Sequence, residues 1–304
     1  MPATLVAFIA IFLVGALLRG TGLLGRIHAE RLASAVFSVS LPATILISLD
    51  AVPFASTAWK LPAAACLITL PMAVVAWQFG RTLGLPRPTQ GGLILATGCI
   101  NSIYFAYPVI LAVLGDDGLA NAILFDLGQT TFTLTGLYAI ALWHGMSGST
   151  AHSLTTRFVS SAPLWALATV LTMKALSLRL PPWARELLMP LHLTTTPLAS
   201  LVLGLSVTLS ALKQTWQLAA FGVVLRMGGG FVLGWFAATL LQLAGVERAV
   251  VMLVGGMPSA VMAVLFAAET KLDEDLVASI VGLSICLGVA LLPWIPTLAG
   301  MVLG

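Results

Sequence analysis

The sequence predicts an all-α membrane protein of about ten transmembrane helices in two inverted five-helix repeats. Three observations predict it: an apolar composition, a succession of apolar runs with short polar gaps, and a self-match at an interval of 157 residues. Hydrophobic residues make up 59% of the 304 and charged residues 8%, and the mean hydropathy is +1.05. A water-soluble domain carries about 25% charged residues, so the solvent here is the bilayer. A span takes roughly 20 apolar residues, which leaves room for little besides spans.

The apolar runs place spans near 3–20, 31–49, 59–80, 89–114, 117–143, 158–177, 188–210, 216–242, 247–269 and 275–302. The first run, Leu5 to Leu18, has no basic segment in front of it and no small-residue cleavage site after it, so it is read as a retained span rather than a secretory signal. The seventh is the least regular, because His192, Thr194, Thr195, Thr196 and Pro197 interrupt it. Hydroxyls are tolerated in a span where they bond neighbouring backbone.

The net charge of +3 is spread singly between apolar runs and forms no phosphate-tracking patch, so no nucleic-acid partner is expected. Instead the basic residues report topology. Eight Lys and Arg fall in odd-numbered loops and five in even-numbered ones, which puts the odd loops in the cytoplasm and both termini outside. Cys66, Cys99 and Cys286 lie inside apolar runs, and His28, His144, His152 and His192 are scattered, so neither set has metal-ligand spacing and no metal or cofactor is expected. No hydrolase elbow, zinc-protease helix or phosphate-binding lysine loop is present, and the chain is not read as an enzyme.

Shifting the chain on itself by 157 residues aligns, without a gap, Trp59 with Trp216, Gly98 with Gly255, Ser102 with Ser259 and Asp116 with Asp273. The reading that follows is a first five-helix repeat over 1–143, a short cytoplasmic linker over 144–157 and a second repeat over 158–304. An odd number of spans per repeat inverts the second relative to the first, the plan of many secondary transporters.

The repeat also lines up two helix-breaking stretches. One is Gly98-Cys99-Ile100-Asn101-Ser102 with Pro108 downstream, and the other is Gly255-Gly256-Met257-Pro258-Ser259. Glycine is flexible and proline removes a backbone donor, so both spans are expected to break near mid-membrane. Backbone freed there is tolerated only facing protein or a wet cavity. Half-helix N-termini meeting there offer free N–H groups and partial positive charge, a site for a carboxylate. Asn101, Ser102 and Ser259 add side-chain hydrogen bonds, and Gly256, Met257 and Pro258 line the second break.

Ionisable groups within spans are costly and are therefore functional candidates. Asp126 lies in the fifth span and Arg226 near the middle of the eighth. Two readings stay open: a proton site coupled to transport, or a structural ion pair. Gln129 stands one helical turn beyond Asp126 and faces the same side. Asp50, at the end of the second span, is read as interfacial, and Asp116, Asp117, Asp273, Glu274 and Asp275 as acids at helix N-termini.

Several stretches resemble the auxin efflux carrier family of bacterial and plant transporters. They are Asn101-Ser102 followed by Pro108, Leu114 to Leu119, Phe125-Asp126-Leu127-Gly128-Gln129, and Gly256 to Met262 followed by Ala268-Glu269. The resemblance implies crossed discontinuous helices in the fourth and ninth spans, a fold shared with sodium/proton antiporters and bile-acid carriers, and elevator motion of a transport domain against a scaffold. It puts Asn101 on the crossover asparagine, Pro258 on the crossover proline and Gln129 in the cavity. The short stretch from Gly145 to Arg157 is similar to that of bacterial members, for which malonate and related acids are the expected cargo. The chain departs from the family between the asparagine and the proline, where Ile103, Tyr104, Phe105, Ala106 and Tyr107 replace small glycines.

The function expected is therefore secondary transport of a small organic anion across the bacterial inner membrane, with membrane lipid as surroundings, a coupling proton and a homodimer as further partners. Two other readings are a sodium-coupled symporter of amphipathic acids and a membrane sensor that binds without moving its ligand.

Overall fold

The computed structural model describes residues 2–51, 59–145, 162–207 and 212–303; most of the 144–157 linker lies outside them. Among the described residues the backbone is helical apart from turns, short extended stretches and one antiparallel bridge. This is what hydrocarbon demands, since only a helix satisfies a lone segment's peptide groups internally. Among the described residues seven helical segments are long and apolar enough to cross a membrane: Ala3–Gly20, Ile27–Ala51, Lys60–Thr82, Ser102–His144, Pro182–Ser206, Thr215–Leu240 and Glu274–Leu303.

The helices are α1 (Ala3–Gly20), α2 (Arg26–Ala35), α3 (Leu41–Ala51), α4 (Lys60–Thr82), α5 (Arg87–Gly98), α6 (Tyr107–Phe132), α7 (Tyr138–His144) and α8 (Ala162–Ala175). They continue with α9 (Pro182–Ser206), α10 (Leu212–Val223), α11 (Gly230–Leu240), α12 (Gly245–Gly255), α13 (Met262–Thr270), α14 (Glu274–Leu291) and α15 (Ile295–Leu303). An interrupted span leaves short pieces: α5 has 12 residues, α12 has 11 and α13 has 9, and none of these alone reaches across the hydrocarbon. The 43-residue segment Ser102–His144 is instead longer than a single crossing needs, and within it Gly115 leaves the helical conformation with φ 69°, a value that favours glycine.

The chain divides into two units. The first draws on Met1–Ala58, Ile103–Ile123 and His152–Ser206. Here α1 lies along α9 at two glycines. A Cβ on Gly15 would stand 2.8 Å from the Leu201 carbonyl oxygen, and one on Gly204 would run into the Phe12 carbonyl. Small residues at such a seam let membrane helices approach closely enough for dispersion to hold them. The polar stretch near His192 does not break its helix. α9 runs through Pro190 and Pro197, and its polar groups pair sideways: the Thr44 and Thr195 hydroxyls lie 2.8 Å apart and both reach the Ser40 carbonyl, at 3.0 and 3.1 Å. His192 Nδ1 is 3.2 Å from the Thr44 hydroxyl. The aromatic residues that depart from the family pattern pack in this unit. Phe105 meets Phe8 edge to face at 5.6 Å, and the Tyr104 hydroxyl donates to the Ala33 carbonyl at 3.3 Å.

The second unit draws on Trp59–Ser102, Leu124–Ala151 and Val207–Gly304. α4 packs on α5, α10 on α14 and α11 on α12. The α11–α12 seam is a glycine pair four residues apart: a Cβ on Gly234 would stand 2.8 Å from the Val251 carbonyl, and one on Gly230 would strike the Gly255 carbonyl. Exposed tryptophans stand close to helix ends in both units, Trp165 and Trp183 in the first and Trp59, Trp143, Trp216 and Trp294 in the second, as in the aromatic belts of membrane proteins.

Candidate functional site

The site is built within the second unit from the two interrupted helices. α5 stops at Gly98, where Cys99 turns extended with φ −83° and ψ 115°. α12 stops at Gly255, and helix resumes at Met262. Gly98 sits where the chain has no room for a side chain, since a Cβ there would be 2.7 Å from the Leu137 methyls. Pro258 lies in the second break and has no N–H to leave unpaired.

The two extended stretches run antiparallel and join backbone to backbone. The Asn101 N–H donates to the Pro258 carbonyl at 2.9 Å and the Ala260 N–H to the Cys99 carbonyl at 3.0 Å, bracketing the bridge between Ile100 and Ser259. Side chains reinforce the joint. Asn101 Nδ2 donates to the Ser259 carbonyl at 3.2 Å, the Ser259 hydroxyl donates to the Ala96 carbonyl, and the Ser259 N–H donates to the Ser284 hydroxyl at 3.1 Å. Asn101, Ser102, Ser259 and Ser284 are all buried.

A helix end leaves its last four carbonyls without intrahelical donors, and burying them unpaired is expensive. Here all eight are answered. In α5, Leu95 accepts from the Cys99 N–H at 3.0 Å, Ala96 from Ser259, Thr97 from Arg226 Nη1 at 2.6 Å and Gly98 from Gln129 Nε2 at 3.1 Å. In α12, Met252 and Leu253 accept from the Gly256 N–H, Val254 from the Met257 N–H at 3.1 Å and Gly255 from Arg226 Nη2 at 2.5 Å. Arg226, fully buried in a wide π turn over Val224–Gly229, thus bridges both helix ends, where the dipoles place partial negative charge. Such wide turns inside α-helices occur often at functional positions.

Of the residues singled out from the sequence, Gly98, Asn101, Gln129, Gly255, Gly256, Met257, Pro258, Ser259 and Arg226 meet in this cluster. Gln129 is fully engaged: besides Gly98, its Nε2 donates to the Thr133 hydroxyl at 3.1 Å and its Oε1 accepts from the Thr69 hydroxyl at 2.6 Å. Ser102 begins the next helical segment, and its buried hydroxyl has no hydrogen-bond partner among the described residues. Asp126 is half-buried on α6 and accepts from the Thr130 hydroxyl at 3.2 Å. Pro108 is the second residue of α6, after the wide turn Ser102–Ala106, and belongs to the first unit. Thr69, Thr97, Thr133 and Ser284 join the cluster without a sequence pattern that marks them. Thr97 takes part through its backbone carbonyl, which every residue possesses, so no side-chain signal marks it.

An all-helical membrane chain with two interrupted helices joined at their breaks has the build of a membrane transporter. It belongs to the family described as membrane transport protein, which takes in the auxin efflux carriers and matches residues 3–161. The chain is 30% identical over 295 residues to an uncharacterized transporter of Methanothermobacter thermautotrophicus, covering 95% of each chain. It is also 30% identical over 291 residues to an uncharacterized transporter of Methanocaldococcus jannaschii, covering 92% of each.

Proposed function

We propose that the protein is a secondary active transporter that moves a small organic anion, a mono- or dicarboxylate such as malonate, across the bacterial inner membrane by an elevator-type motion. The observation that carries this reading is the joint between the two broken helices. Residues 99–101 and 258–260 come together from distant parts of the chain, and helix begins again just beyond each, at Ser102 and Met262. Helix beginnings carry partial positive charge that suits an anion, and Ser102 adds a buried hydroxyl with bonding capacity to spare.

The register of the joint supports an inverted repeat. Asn101 and Pro258, bonded at one side of the bridge, are separated by 157 residues, the interval of the sequence repeat. On this reading the interrupted helices count as the fourth and ninth of ten spans, both termini face outward and two copies pair through their scaffolds. Asp126 is the proposed proton carrier.

Flux into proteoliposomes tests the reading. Labelled malonate is expected to cross with the wild type and to stop with Asn101→Ala, whose backbone joint survives while its amide bond to Ser259 is lost. Wild-type flux in that variant removes Asn101 from the site, and a protein that binds the acid but leaves the lumen empty is a sensor. Asp126→Asn is expected to abolish the response to a pH gradient; an unchanged response denies Asp126 the proton role.

A further inference from the structure

Arg226 is a fully buried side chain whose contacts are unusual for a cation. Its two terminal nitrogens donate to the Thr97 and Gly255 carbonyls at 2.6 and 2.5 Å, and its Nε has no hydrogen-bond partner among the described residues. Taking a guanidinium out of water is expensive unless the surroundings supply negative charge. The surroundings here are the C-terminal ends of α5 and α12, each carrying partial negative charge on its last carbonyls. Gly230 is part of the fit, because a Cβ on it would collide with both the Gly255 carbonyl and the Arg226 guanidinium.

In carriers built on broken helices, the carbonyl ends of half-helices are where a coupling cation is held. We propose that Arg226 is a resident cation: its guanidinium occupies that place permanently, so the wild-type chain binds no sodium there and its working cycle needs none. This deepens the carrier reading and rests on it for the statement about the cycle. The tethered charge holds the two helix ends together as a dissociable ion does, but it cannot leave, so a sodium gradient has nothing to act on at this position.

The test is a thermal melt of the purified full-length protein, since a ligand that binds only the folded state raises the melting temperature. Sodium chloride is titrated against choline chloride at constant ionic strength, and guanidinium chloride is added at concentrations too low to denature. Wild type and Arg226→Lys, which keeps the charge, are expected to melt independently of sodium. Arg226→Met, of similar length without charge, is expected to melt lower and to gain a saturable upward shift, or folded yield, with sodium or guanidinium. A saturable sodium shift in the wild type overturns the proposal. So does a methionine variant that responds to neither cation, or one that matches the wild type with none added. The melt uses no cargo, so loss of malonate flux with this pattern intact counts against the carrier reading alone.

Discussion

Gln129 and Arg226 serve as counterparts: the Gln129 amide donates to the Gly98 carbonyl at 3.1 Å and the Arg226 guanidinium to the Gly255 carbonyl at 2.5 Å. The two carbonyls are 157 residues apart, one at each end of the repeat interval. One helix end is capped by a neutral side chain and the other by a charged one that also reaches across to Thr97. The two helix ends therefore differ in the charge of the side chain that caps the last carbonyl.

Replacing Gln129 with alanine strands the Gly98 carbonyl, and the Thr69 and Thr133 hydroxyls lose a partner. A buried group deprived of its partner costs about 1–3 kcal/mol. Gln129→Ala is expected to lower the melting temperature of the purified protein, and Gln129→Glu to lower it at least as far at neutral pH, because a carboxylate has no donor for the Gly98 carbonyl. A glutamate variant as stable as the wild type removes the capping role.

Gly230→Ala places a methyl where the Gly255 carbonyl and the Arg226 guanidinium already lie. Overpacking of this kind costs about 1–3 kcal/mol. Gly228 is the internal control, because a Cβ there meets nothing within 4 Å. Melting curves of the two alanine variants are expected to separate clearly, with Gly228→Ala close to the wild type.

At Ser259 the hydroxyl and the N–H serve different partners, Ala96 and Ser284. Ser259→Ala removes the donor to a buried carbonyl, and Ser284→Ala removes the acceptor for a buried N–H. Each is expected to cost about 1–3 kcal/mol, and because both act on residue 259 the double variant is expected to depart from additivity. A denaturation series on the four proteins measures the coupling.

In the first unit Asp50 accepts the Leu180 N–H at 3.0 Å, while Arg185 stands 3.8 Å away with its side chain 46% exposed. The hydrogen bond is the larger contribution, since a partly solvated ion pair contributes roughly 0–1 kcal/mol. Asp50→Ala is expected to destabilise the protein markedly and Arg185→Ala barely, which thermal melts of the two variants decide.

Much of this arrangement is legible in the sequence because helix interruption has a chemical signature. Gly98, Gly255 and Pro258 mark the ends of α5 and α12, and the interval that aligns them is the one at which Asn101 and Pro258 bond. The partners of Arg226 are not legible, because both are backbone carbonyls and any residue supplies one. Gln129 was visible as a polar residue in a span, but its saturation by Thr69, Thr133 and Gly98 depends on three segments meeting. The polar run at His192 reads as an interruption, yet α9 passes through it, and the Thr195 hydroxyl bonds to the Ser40 carbonyl, far away in the chain.

The joint at residues 99–101 has a consequence for how the protein is made. Its partners, residues 258–260, are synthesised more than 150 residues later. At the roughly 5–20 residues per second of translation, the first break therefore waits on the order of ten seconds before the strand that completes it exists. During that interval the Cys99 carbonyl and the Asn101 N–H sit in or beside the membrane without their final partners. In the newly made chain these groups bond to water or to other partners until the last sixth of the polypeptide arrives.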